Sequence, residues 1–232
     1  MGRSTTLRRA VTTTALLVAL VALVSPAAAH ADTGSGKDDK VPDLVSERKP
    51  FRSRNPIANG AVEALGIIMR TENIEDPRYL DARRGVSDLV AAELGIDAAQ
   101  LHRAWSRAPR DHQIAVLAAL TQLGVRYVVG KESPYVQVDC SGLLWFAWRA
   151  AGVDMPRQAV SQLDPRMRVD RKKAIAGDIV GEGTHVHIFL GVGRAMVHAP
   201  FNGKSVRLKM MSQAQYDRVA WANPSNIATY RL

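Results

Sequence analysis

A single cysteine, Cys140, stands in a chain of 232 residues. A structural disulfide needs two, so no internal bridge staples this fold, and the lone thiol is an intermolecular link, an inert buried group or a reactive one. Aromatic residues are scarce as well, at 6%, and no basic helix interleaves with them, which argues against a nucleic-acid interface. Long apolar runs are missing. The longest clean one, Ala15 to Val24, has ten residues, about half of the roughly 20 that span a bilayer. There is no internal repeat and no low-complexity tract outside residues 32–59. Acidic residues fall short of basic ones, 22 against 31, leaving a net charge of +9 and an attraction to anionic surfaces.

What is present reads as an exported globular protein. At 47% hydrophobic and 23% charged, the chain can bury a core of ordinary size. Arg3, Arg8 and Arg9 precede the apolar run, and "SPAAAHADT" supplies the small residues of a cleavage site after Ala31, so residues 1–31 are expected to be a cleaved signal peptide. Arg8-Arg9 hints at the twin-arginine route, although the residues after the pair fit it poorly. Cleavage removes three arginines and no acids, lowering the charge from +9 to +6. A secreted, basic chain outside a bacterium meets anionic cell-wall polymers first. No membrane-spanning segment is expected after cleavage, and a monomer is expected.

Residues 32–59, with "TGSGKDDK" and "ERKPFRSRNP", lack periodicity and predict a linker. Residues 60–108 predict short helices: an apolar segment from Ala61 to Arg70, a helix capped by Ser87 with Leu89, Val90 and Leu94 on its buried face, and a third opened by Asp97 with Gln100 in a capping box and stopped by Pro109. About 50 such residues cannot bury much surface alone and are expected to pack on the C-terminal part of the chain. Residues 109–232 predict a second unit. A helix from Asp111 carries Val116, Leu117, Leu120 and Leu123 on one face and stops at Gly124. A loop over 125–139 leads to "DCSGLLWFAW", which places Cys140 at the N-terminus of a helix ending near Gly152. The period then changes: "GDIVGE", "THVHIFLG", "RAMVHAP", "KSVRLKM" and "ATYRL" predict short strands, with Gly177-Asp178 as the turn into the first. Helices followed by antiparallel strands make an α+β fold.

A thiol at a helix N-terminus faces unpaired amide N–H groups, which favour thiolate, and a paired thiol of this kind titrates at roughly 3.5–7.5. It needs a base and a group that orients the base. After signal cleavage five histidines remain. His102 and His112 fall on predicted helices and read as solvated or capping side chains. His185, His187 and His198 fall on predicted strands, and a hairpin about Gly191–Gly193 brings His198 near His185, giving a nucleophile–base–orienter set. A second reading of the same residues is metal. His185 and His187, two apart, share a strand face and with His198 could hold zinc, but no recognisable metallopeptidase motif surrounds them and no carboxylate is placed as a base.

The motifs "LGVRYVVG", "DCSGLLWFAWRAAGVDMPRQAVSQ", "GDIV", "HVHIFLG" and "MVHAP", in this order over about Asp111 to Leu208, resemble those of the NlpC-type cell-wall peptidases. The resemblance implies a papain-like fold, with the cysteine helix packed on an antiparallel sheet and no metal or organic cofactor. It implies that Cys140 is the nucleophile, His185 the general base and His198 the polar residue orienting that base. It further implies that Tyr127 helps to stabilise the oxyanion and that Asp139 and Ser141 contact the substrate. The family's substrate is the peptidoglycan stem peptide, cut between the γ-carboxyl of D-glutamate and a diamino acid such as meso-diaminopimelate. The sequence departs from the family pattern at Val128-Val129-Gly130, where an aromatic residue and a glycine pair are usual, and at His187, where glycine is usual. Two rival expectations stand beside this one: a catalytically silent wall-binding or regulatory module, and a zinc-dependent wall amidase using His185, His187 and His198.

Overall fold

The structure is a computed structural model that describes residues 53–201 and 203–227. The expected signal peptide, most of the expected linker and the terminal "ATYRL" strand lie outside the described residues. Helix α1 (Pro56–Thr71) begins inside the stretch expected as linker, because Asn55 caps it and Pro56 takes the first helical position. The Asn55 side chain accepts from the amides of Ile57 at 2.9 Å and Ala58 at 3.2 Å. Helix α2 (Pro77–Leu94) repeats the device with Asp76 and Pro77. Ser87 is therefore not a cap. It lies buried in mid-helix and donates to the Arg84 carbonyl at 2.8 Å. The buried face runs through Tyr79, Val86 and Val90, leaving Leu89 exposed. Helix α3 (Ala98–Arg107) does start at the Asp97 cap, whose carboxylate accepts from the Gln100 amide at 2.6 Å.

Helix α4 (Arg110–Leu120) is buried on every side from His112 to Leu120, rather than on one face, because α1 packs against one flank and the cysteine helix against another. One continuous apolar core runs from Ile57 and Ile68 of α1 through Leu117 and Leu120 to Leu143 and Leu144. Buried polar bonds lock α2 and α3 onto it. The Trp105 indole N–H donates to the Leu190 carbonyl at 2.8 Å, and Tyr79 and Arg83 both donate to Oε1 of Gln113, at 2.7 and 2.8 Å.

The segment expected as a loop contains three two-residue strands, β1 (Arg126–Tyr127), β2 (Glu132–Ser133) and β3 (Gln137–Val138), with β1 parallel and β2 antiparallel to β3. Helix α5 (Cys140–Ala150) follows at once. Beyond a single helical turn α6 (Ala159–Gln162) come β4 (Ile179–Glu182), β5 (His185–Phe189), β6 (Ala195–His198), β7 (Arg207–Met210), the short α7 (Gln213–Tyr216) and β8 (Ala220–Ala222). They form an antiparallel sheet in the order β7-β6-β5-β4-β8. Alternation along β5 sends Val186 and Ile188 into the core shared with α5. Phe189 goes to a second cluster with Val180, Met196 and Trp221. The fold is α+β, with the cysteine helix packed on an antiparallel sheet.

Candidate active site

Cys140 is the first residue of α5, and its position is fixed from three directions. Asp139 caps the helix, Oδ1 accepting from the Gly142 amide at 2.6 Å and from the Ser141 hydroxyl at 3.2 Å. Its second oxygen accepts from the Gly130 amide at 2.7 Å and from Arg157 at 2.8 Å. Gly142 lets the helix start approach the 130–131 turn closely: a Cβ there would lie 2.3 Å from the Lys131 carbonyl oxygen. Buried Gln162 ties the other side, donating to the carbonyls of Ser141 at 2.9 Å and Pro156 at 2.7 Å.

The thiol opens on a cleft of about 260 Å3 lined by Tyr127, Asp139, Ser141 and Thr184, with Val129, Val160 and Phe201 as an exposed apolar rim. Cys140 Sγ donates to the carbonyl oxygen of Thr184, the residue before His185, at 3.5 Å. His185 Nε2 lies 3.3 Å from His198 Nδ1, which is the hairpin proximity expected from the sequence. With Nε2 engaged, Nδ1 is the nitrogen of His185 left for the thiol; it is buried and has no partner in this conformation. Phe201 packs on the His185 ring at 4.9 Å and on Tyr127 at 5.4 Å, shielding the pair from solvent.

Burial dominates the electrostatics. It pushes the Cys140 thiol above its ordinary value, and the Asp139 carboxylate adds to the rise, against the pull of the Val186 and Ser141 amides. The low-titrating thiol expected from its place at a helix end is thus corrected: a helix terminus contributes about 0.3–1 kcal/mol at an exposed position, less than desolvating an anion costs. Burial, with the nearby Lys209 charge, lowers His185 to about 4, and burial with His185 and Lys209 lowers His198 to about 3. At neutral pH the resting site is a thiol facing uncharged imidazoles. Burial, then the Cys140 charge, raises Tyr127 to about 12, so its hydroxyl keeps its proton and can donate.

The structure brings Cys140, Tyr127, Asp139 and Ser141 to one cleft and joins His185 to His198. The Asp139 carboxylate is filled by Gly142, Ser141, Gly130 and Arg157, and so acts in the cleft through them. Arg157, which sequence reasoning did not single out, bonds Asp139, the Ser141 hydroxyl at 2.8 Å and Glu132. Its position one residue after Pro156, facing two cleft residues, needed the fold to be seen. His187 shares the face of His185, with ring centroids 4.6 Å apart. It is 1% exposed and neither ring nitrogen has a partner, an arrangement costing on the order of 1–3 kcal/mol per buried group. His112, expected to be solvated, is instead buried between Asp111 at 2.8 Å and Asp178 at 3.2 Å, away from the cleft. Asp178 also makes the expected turn, its other oxygen accepting from the Ile175 amide at 2.8 Å.

Residues 124–223 match the model of the NlpC/P60 family. Among curated proteins, the bifunctional muramidase/DL-endopeptidase CwlT of Bacillus subtilis is 34% identical over 91 residues, covering 36% of this chain and 28% of that protein. The peptidoglycan endopeptidase RipB of Mycobacterium tuberculosis is 29% identical over 217 residues, covering 82% of this chain and 87% of that protein. Among solved structures, NlpC2 of Trichomonas vaginalis is 27% identical with a TM-score of 0.42, covering 49% of this chain and 46% of that one. The chain spans about a third or less of the length of the first curated relatives it matches.

Proposed function

We propose that this chain, which carries an NlpC/P60 domain over residues 124–223, is a secreted cysteine endopeptidase that cuts the D-γ-glutamyl–diaminopimelate bond of peptidoglycan stem peptides. The observation that carries the reading is a chain of contacts: Cys140 at the start of α5 has its thiol on the carbonyl of Thr184, the residue before His185, and His185 pairs with His198 across the hairpin.

The chemistry follows from which atoms are free. For Nδ1 of His185 to be bare as the base, its Nε2 carries the proton and donates to His198 Nδ1, which lies 3.3 Å away. The thiol turns from the Thr184 carbonyl toward Nδ1, gives up its proton and attacks the γ-amide carbonyl. A bond forms between Sγ and carbon while the carbonyl pair moves onto oxygen. The Cys140 amide and the Tyr127 hydroxyl meet that oxyanion, and losing one such donor costs about 2.7–4 kcal/mol. The carbon–nitrogen bond then breaks as the protonated His185 donates to the leaving amine, and water, deprotonated by the same imidazole, releases the acyl group. Residues 32–54 act as a linker in this reading, and residues 55–108 brace the catalytic unit of 109–232 through the Trp105 and Gln113 contacts rather than lining the cleft. Partners beyond the stem peptide are the anionic wall polymers that a basic surface attracts.

Digestion of defined muropeptides by the purified protein, followed by mass analysis, tests the proposal. The expected products end in γ-D-glutamate and begin with the diamino acid, and Cys140→Ala yields none. Identical products from the variant, or a bare chain that binds muropeptides without cutting them, would replace this reading by the silent-module one.

A further inference from the structure

The hydrolysis has no use for His187, and yet the fold buries it beside the base. Its ring lies 4.6 Å from that of His185 and 4.9 Å from that of His198, and both its nitrogens are without partners. Two more ring nitrogens of the cluster, Nδ1 of His185 and Nε2 of His198, are also buried without partners. One ring nitrogen from each of the three histidines can be chosen so that all lie within 4.8 Å of one another. Zinc binds imidazole nitrogen at about 2.0–2.1 Å, so two ligands of a tetrahedral site stand about 3.3–3.4 Å apart. The Nε2–Nδ1 pair of His185 and His198 already has that spacing, 3.3 Å; an ion there replaces the proton of their hydrogen bond, the rings turn toward it, and His187 supplies the third nitrogen.

We propose that His185, His187 and His198 form a three-nitrogen site for a divalent transition ion, Zn2+ foremost, and that the bound ion reversibly switches the thiol chemistry off. Imidazole sets suit zinc, copper and nickel over the hard, oxygen-seeking cations. No carboxylate joins the cluster among the described residues, so a metal-bound water here has no general base, and the ion acts as inhibitor rather than catalyst. Inhibition follows from the geometry. The ion takes the nitrogens through which His198 orients His185, and its charge opposes protonation of the base during thiol attack. The Lys209 and Arg207 charges stand near the histidines and oppose a cation, which weakens binding and keeps it reversible. The binding half of the proposal stands alone; the inhibitory half rests on the hydrolytic reading above.

The test uses the full chain, stripped by chelation and titrated with ZnCl2 alone against a chromophoric competitor. One ion per chain is expected, with binding weakened at least tenfold in His187→Ala and His187→Gln and within twofold of wild type in Cys140→Ala. Cobalt in place of zinc gives the wild-type site a visible spectrum of tetrahedral intensity, which decides the matter even if both His187 variants fail to fold. Absence of a stoichiometric ion, or unchanged binding in folded His187 variants, overturns the site. In the muropeptide assay, one equivalent of zinc stops wild-type turnover, EDTA restores it, and His187→Gln resists. Full turnover with zinc bound overturns the inhibitory half. Turnover raised by zinc overturns both that half and the thiol mechanism. A chain with no turnover in any metal state removes the hydrolytic reading and with it the inhibitory half, while the zinc and cobalt titrations still decide the site.

Discussion

Replacing Asp139 by asparagine separates the two tasks that this carboxylate performs. The Asn side chain keeps an oxygen for the Gly142 amide, and asparagine caps helices as well as aspartate does. Its NH2 then faces two donors, the Gly130 amide and the Arg157 guanidinium, in place of the oxygen that accepted from both. Hydrogen bonds to a charged group are worth about 1.5–3 kcal/mol each. Arg157 is a quarter exposed and recovers part of its loss from water, so the pair together comes to about 2–4 kcal/mol. For a domain of this size that lowers Tm by roughly 5–15 °C. The sign with pH is fixed. Burial raises the Asp139 carboxyl, but Arg157 and the two amides outweigh it and hold the group below its ordinary value. Its stabilisation is therefore present above the ordinary carboxylate range and is lost as pH falls through the lowered folded value. Calorimetric scans of wild type and Asp139→Asn should show the full gap at pH 7 and a narrowing gap below pH 4. A variant within a degree of wild type at neutral pH, or a gap that does not narrow in acid, refutes the assignment of Asp139 as a charged clamp at the thiol's helix.

The pH profile of muropeptide turnover should hold level from about pH 5 upward, because His185 titrates at about 4 and must be neutral to take the thiol proton, while the raised thiol puts any alkaline limb above the ordinary cysteine range. An acid limb near 6.5 would show an unburied base. Trp105→Phe removes the buried donor to Leu190 and should cost about 1–3 kcal/mol in a denaturant melt with little change in turnover; a melt like wild type would deny the brace. His112 loses hydration on burial, but its bonds to Asp111 and Asp178 prevail and raise its value. Its stabilisation is full below about 6.5 and declines as pH rises through the folded value, so the Tm advantage of wild type over His112→Gln should shrink in alkaline buffer, and a constant advantage would contradict the charged reading.

The parts of the fold legible in the sequence were those set by neighbours along the chain. Asp97 caps the helix that follows it, as its sequence pattern predicts, because an N-cap contact reaches only two or three residues. The β5–β6 hairpin was legible because Gly191 and Gly193, both at positive φ, mark its turn. Asn55-Pro56 and Asp76-Pro77 are equally local start signals, less conspicuous than the Ala61 run and Ser87 beside them. Other features depend on partners far away. His112 looks like a surface helix residue until Asp178, 66 positions on, closes over it. Strand β8, "AWA", is three residues long and gains its identity from pairing with β4 and from the Trp221 contact with Phe189. Strands β1 to β3 are two residues each, too short to show a period. At the site, order and residue type gave the cleft members, but the protonation state reversed, because burial is a property of the packed molecule and not of the motif.

That reversal has a chemical consequence. Thiolate, not thiol, is the species that oxidants and alkylating agents attack, and a lone cysteine has no resolving partner in its own chain to restore it. The helix terminus and the surrounding apolar packing act on Cys140 with opposite signs, and in the unliganded protein the packing prevails. The thiol is thus held protonated, with its hydrogen bond on the Thr184 carbonyl and Nδ1 of the next residue, His185, without a partner. In the proposed reaction, deprotonation becomes favourable when a carbonyl carbon is in place to take up the negative charge and the Tyr127 hydroxyl and Cys140 amide meet it on oxygen. Ionisation is in this way coupled to substrate occupancy rather than to the pH of the surroundings. The same burial that slows the thiol's side reactions keeps His185 neutral and ready.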